Sequence, residues 1–96
     1  MHPGFAAAYY NRGYIYRENR DHCAAIADFD RALDANANLE EAYYARGLSR
    51  IDAENPEAAL ADFEKMISMK PTLAKGYLGR GIARSKLGIW IGGWRI

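Results

Sequence analysis

One tripeptide-plus-glycine pattern recurs along this chain at a fixed interval. Tyr10-Asn11-Arg12 runs into Gly13, Tyr44-Ala45-Arg46 into Gly47, and Leu78-Gly79-Arg80 into Gly81. Gly47 follows Gly13 by 34 positions and Gly81 follows Gly47 by the same interval. Downstream of the first two glycines, Ala25-Ile26 and Asp28-Phe29 return as Ala59-Leu60 and Asp62-Phe63. Self-similarity at such a period marks a stack of structural units, each resting only on its neighbours. Chains of this kind act by presenting a surface, so the first question is what that surface offers.

Within each unit the apolar spacing is helical. From Phe5 to Glu18, Tyr9, Arg12, Gly13 and Tyr16 share a face at three- and four-residue intervals. Asp21 is the expected N-cap of a second helix through Ala35, burying Ala25, Ile26, Phe29, Ala32 and Leu33. A third helix is expected from Leu39 to Asp52, with Asn38 and Glu41 forming a capping-box-like start. Asn55 then caps a fourth, with Pro56 in its first position, where the missing N–H costs nothing. Its buried stripe is Ala59, Leu60, Phe63, Met66 and Ile67. Thr72 is the expected cap of a fifth helix from Leu73 to Leu87. No segment alternates with period two long enough to make a strand, so the fold expected is all-α. Gly13, Gly47 and Gly81 are the expected points of close helix approach, each costing ~1 kcal/mol of helix propensity against Ala.

Thirteen basic and twelve acidic residues give a formal charge of +1, with both signs interleaved. A nucleic-acid platform would need a concentrated basic face, so RNA or DNA binding is disfavoured. Cys23 is the single cysteine, which excludes an internal disulfide and points to a reducing, cytoplasmic setting. Met1-His2-Pro3-Gly4 begins no secretory signal, and no apolar stretch approaches the ~20 residues of a membrane span. There is no phosphate-binding glycine loop. His22 and Cys23 are adjacent without a second ligand pair, and helix neighbours point ~100° apart, so neither a metal site nor a Cys-His nucleophile is expected. The expectation is a protein that is no enzyme, with no cofactor, metal or small-molecule substrate.

The aromatics Tyr9, Tyr43 and Tyr77, the three glycines, Ala25 and Ala59, Phe29 and Phe63, Ala32 with Met66, and Pro71 carry a resemblance to the tetratricopeptide repeat family. It covers about residues 6 to 87. The resemblance implies a right-handed solenoid of helical hairpins that binds proteins or peptides in its concave groove. On this reading, residues 1–96 form one domain, with repeats at 6–39 and 40–73 and a partial repeat at 74–96. The family's Leu before Gly is Arg12, Arg46 and Arg80 here, and Asp28 and Asp62 lie 16 residues after the first two. A hairpin brings those turns together, so the pairs Arg12–Asp28 and Arg46–Asp62 are expected, partly buried.

Mapped through the family pattern, the groove-lining residues are Tyr10, Tyr14, Arg17, Glu41, Tyr44, Leu48, Ile51, Lys75, Leu78, Ile82 and Ser85. That surface suits an amphipathic helix or an extended apolar peptide. A subset of the family clamps the acidic tails of heat-shock chaperones with Lys and Asn. The matching positions here hold Tyr10, Tyr14, Ala45, Lys75 and Gly79, of which Lys75 alone fits, so that role is disfavoured.

After Gly88 the pattern gives way to an irregular apolar end containing Trp90, Ile91, Trp94 and Ile96. In register, Ile96 stands where Asp28 and Asp62 stood, leaving Arg80 without its acid. Three arrangements stay open: a makeshift cap over the third repeat, an apolar contact for self-association or partner docking, or the interrupted end of a longer array. The leading expectation is a protein-interaction module. The alternative is a structural piece that homodimerises through its uncapped end.

Overall fold

The computed structural model describes residues 3–88, and these form five helices. They are α1 (Pro3–Glu18), α2 (His22–Ala35), α3 (Glu40–Asp52), α4 (Pro56–Met69) and α5 (Ala74–Leu87). Consecutive helices pack as antiparallel hairpins, and α1, α3 and α5 also touch in order along one side, so the hairpins stack into a solenoid. The stack measures 48 × 29 × 16 Å. Trp90, Ile91, Trp94 and Ile96 lie outside the described residues.

Phe29 and Phe63, one per repeat, are fully buried. Around Phe29 lie Ala25, Ala45, Tyr10 and Tyr16; around Phe63 lie Ala59, Met66, Ala83, Tyr44 and Leu48. Small residues at 25, 45, 59 and 83 let the helices close on the two rings.

Both glycine contacts expected in the first two repeats are present. A Cβ on Gly13 would lie 2.8 Å from the Phe29 ring, and one on Gly47 would lie 2.6 Å from that of Phe63. The third departs from expectation, because among the described residues a Cβ on Gly81 would meet nothing within 4 Å. The close approach of α5 falls instead at Gly79, whose missing side chain makes room for the other side of Phe63. The reason is topological. Gly13 and Gly47 receive the second helix of their own hairpin, whereas α5 is the last helix described and meets only the preceding repeat.

Caps follow the sequence at two of four sites. Asp21 and Asn55 accept from the N–H groups of Ala24 and Ala58, and Pro56 opens α4. Asn38 and Thr72 cap nothing, since the N-cap positions belong to Leu39 and Leu73, without a side-chain bond. These leucines pack into the core between repeats. Burying a leucine contributes ~1.5–3 kcal/mol, more than the ~1 kcal/mol of a side-chain cap. The backbone N–H of Asn38 donates instead to Asn36 Oδ1, two residues earlier in the same turn.

Each first helix ends in the same way. Arg20 and Glu54 both adopt φ 65°, and Gly88 adopts φ 71°. These positions are 34 apart, so the left-handed turn that leads to a second helix is repeated at the end of α5.

Candidate functional site

The two expected ion pairs form, and each is larger than a pair. Asp28 is fully buried, and both its oxygens accept from Arg12, at 2.6 and 2.9 Å. Arg31 adds a third bond at 2.7 Å from the next turn of α2. Hydrogen bonding from Arg12 holds the Asp28 carboxyl below its ordinary value, against the opposing effect of burial, with Arg31 adding to it. In the second repeat Arg46 donates to Asp62 at 2.7 Å, and Arg50 donates to the same carboxylate at 2.9 Å. Arg46 also reaches back to Asp30 of the preceding repeat at 2.6 Å. It therefore ties one hairpin to the next. The fork geometry of the guanidinium permits this double engagement, which a lysine could not reproduce. Arg31, Asp30 and Arg50 were not singled out in the sequence, although Arg31 and Arg50 stand one helical turn from the expected partners.

On the side where α1, α3 and α5 meet, a hollow of about 240 Å³ opens between repeats. It gathers Tyr10 from α1, Glu40, Glu41 and Tyr44 from α3, Met66 from α4, and Leu73 and Lys75 at the start of α5. Tyr10 stacks on Tyr14 at 6.2 Å and leans on Phe29 at 5.8 Å. Tyr44 meets Phe63 edge-on at 6.0 Å, while the Lys75 ammonium sits 5.3 Å from the Tyr44 ring centre. The rings are thus fixed by the core behind them, and cation–π attraction holds the lysine above. Burial keeps the Tyr10 phenol protonated to higher pH than usual, and the Glu41 carboxylate reinforces this. The hollow is smaller than the ~300–1,000 Å³ typical of small-molecule sites.

The structure thus gathers four of the residues mapped from sequence, Tyr10, Glu41, Tyr44 and Lys75, in one place. Leu48 and Ile51 pack against the Phe63 cluster. Arg17 reaches Asp52 of the next repeat at 3.5 Å. Tyr14 is exposed beside Tyr10. Leu78, Ile82 and Ser85 line a different depression, on the face of α5, with Tyr77, Gly81 and Lys86. Glu40, Met66 and Leu73 also line the hollow and were not mapped from sequence. Met66 and Leu73 read there as core and helix start, and only the packing of α4 behind α3 and α5 brings them to the floor. Among the described residues no three His, Cys, Asp or Glu side chains group so as to hold a metal ion. No described helix is long and apolar enough to cross a membrane.

No curated protein matches the sequence. Among solved structures, the chain is similar to the first tetratricopeptide repeat domain of Spaghetti (RPAP3) bound to the HSP90 peptide SRMEEVD. The TM-score is 0.85 over 91% of this chain and 71% of that one, with 20% sequence identity, a likeness that shows the fold. The tetratricopeptide repeat profile matches residues 6–39 and 40–73. With more than half of its length matched in two consecutive units, the chain belongs to the tetratricopeptide repeat family.

Proposed function

We propose that this chain is a non-catalytic protein-interaction module, a single domain over residues 1–96, which binds a peptide or protein segment along the side formed by α1, α3 and α5. The observation that carries the reading is the hollow between repeats. Tyr10, Tyr44, Met66 and Leu73 line it, the two rings held against Phe29 and Phe63, and Glu40, Glu41 and Lys75 add charge to the lining. An apolar side chain would anchor there, while the lining charges set the direction of the bound segment. Tyr14, Arg17, Leu48 and Ile51 extend the surface on one side, and Leu78, Ile82 and Ser85 on the other. That a neighbour of the same fold is bound to a peptide supports the reading. The single, exposed thiol of Cys23 fits a reducing cytoplasm.

Selection of a random-peptide display library on the immobilised chain tests this. Enriched peptides should share an apolar anchor, and their affinity should fall about tenfold or more with Tyr10→Ala or Lys75→Glu. The peptide SRMEEVD should bind weakly, since Tyr10, Tyr14, Ala45 and Gly79 stand where a carboxylate clamp would need polar donors. No enrichment, or enrichment indifferent to both substitutions, would refute the proposal. A second reading, self-assembly through the C-terminal end, is favoured by Tyr77 and Leu78, 42% and 57% exposed on α5. Light scattering that finds a monomer at every concentration would rule it out.

A further inference from the structure

The repeat register sets a charged residue of the next repeat beside each tyrosine of the hollow, and the sign of that charge changes along the stack. Tyr10 and Tyr44 are equivalent positions 34 residues apart, and so are Glu41 and Lys75. The Lys75 ammonium lies 5.3 Å from the Tyr44 ring centre, so that ring already has a cation. At Tyr10 the equivalent residue is a carboxylate. Glu41 lines the same hollow, and it adds to the effect of burial in holding the Tyr10 phenol protonated to higher pH than usual. Its neighbour Glu40 is met by Lys70 at 3.5 Å, whereas among the described residues Glu41 forms no ion pair. The Tyr10 ring leans on Phe29 at 5.8 Å and stacks at 6.2 Å with Tyr14, which is exposed. Among the described residues no cation sits over Tyr10. A fixed pair of rings beside an unpaired carboxylate thus repeats the arrangement at Tyr44 with the cation left to be supplied.

We propose that the hollow selects a basic-apolar segment, whose arginine lies against Tyr10 and Tyr14 and pairs with Glu41 while a neighbouring apolar side chain enters beside Met66 and Leu73. This rests on the reading of the hollow as a peptide-binding site and names what that site takes. A guanidinium is the cation that fits, because its flat face stacks on an aromatic ring while its edge donates two bonds to one carboxylate. Lys75 sets the register. Its charge repels the arginine from the Tyr44 ring, so the arginine goes to Tyr10, and the ammonium donates to a main-chain carbonyl of the same segment. Charge also excludes partners: a segment rich in acids meets the carboxylates of Glu40 and Glu41 and is disfavoured.

Random-peptide display on the immobilised full chain and on its Glu41→Lys variant, followed by fluorescence anisotropy of the enriched peptides, tests the assignment. Peptides enriched on the parent should share an arginine next to an apolar residue. On Glu41→Lys the apolar residue should persist and the arginine should give way to an acid. Affinity of a parent-selected peptide should fall about tenfold or more with Glu41→Gln, or when its own arginine is replaced by glutamine, and the two losses should not add. Glu41→Gln keeps the shape of an exposed side chain, so the fold is preserved. Apolar peptides that share no basic residue, or that are indifferent to both substitutions at Glu41, overturn this inference and leave the peptide-binding reading standing. Losses that add overturn it too, because Glu41 would then act on the hollow and not on the arginine. No enrichment on the parent overturns both.

Discussion

Alanine at position 81 should stabilise this chain, while alanine at position 47 or 79 should not, although all three sites are helical glycines. Replacing a mid-helix glycine by alanine gains ~1 kcal/mol of helix propensity wherever the methyl group is tolerated. At Gly81 the methyl meets no described residue within 4 Å, so the whole gain should appear. For a domain of this size that raises the melting temperature by ~4–8 °C. At Gly47 the methyl would lie 2.6 Å from the Phe63 ring, which is fully buried and cannot retreat. Overpacking a core in this way costs ~1–3 kcal/mol, leaving Gly47→Ala neutral to ~2 kcal/mol destabilised. Gly79→Ala presses deeper into the same ring from the opposite helix and should be the worst of the series. Gly13→Ala, 2.8 Å from Phe29, should resemble Gly47→Ala. Circular dichroism melts and urea titrations of the four variants give the order directly. A Gly81→Ala protein that melts at or below the parent, or a Gly79→Ala protein that melts above it, would refute the reasoning.

Three further outcomes are expected. Arg46→Leu should destabilise by about 1.5–3 kcal/mol, the range for hydrogen bonds to charged groups, because its side chain is 17% exposed and serves both Asp62 and Asp30. Arg12→Leu should cost less, since Arg12 is 56% exposed and serves Asp28 alone; equal losses in urea titrations would contradict this. The Asp28 carboxyl is held below its ordinary value, so its stabilisation is fully present above the unfolded pKa of ~3.9 and is lost as pH falls through the lower folded value. Melts between pH 5 and 2 should therefore show a smaller acid loss in Asp28→Asn than in the parent, and parallel curves would count against the buried pair. Asn55→Ala should cost ~1 kcal/mol as a lost N-cap, whereas Asn38→Ala and Thr72→Ala should change thermal stability little, because leucines hold those cap positions.

The repeat period decided the fold, for a local reason. Helical spacing, the Asp21 and Asn55 caps and the Pro56 start are written in short stretches of chain, and the 34-residue echo forces successive hairpins to stack alike. The Arg12–Asp28 and Arg46–Asp62 pairs were legible for the same reason, since a hairpin fixes which turns of its two helices face each other. What lies between hairpins was not legible. Arg46 reaching Asp30, Leu39 and Leu73 displacing Asn38 and Thr72 as caps, and Met66 flooring the hollow all depend on how one repeat sits on the next. The same holds for Gly79 replacing Gly81 as the contact of α5. The sequence counted three equivalent glycines, but a glycine is a contact only where a second helix arrives. The tertiary structure alone showed Phe63 wedged between Gly47 of α3 and Gly79 of α5.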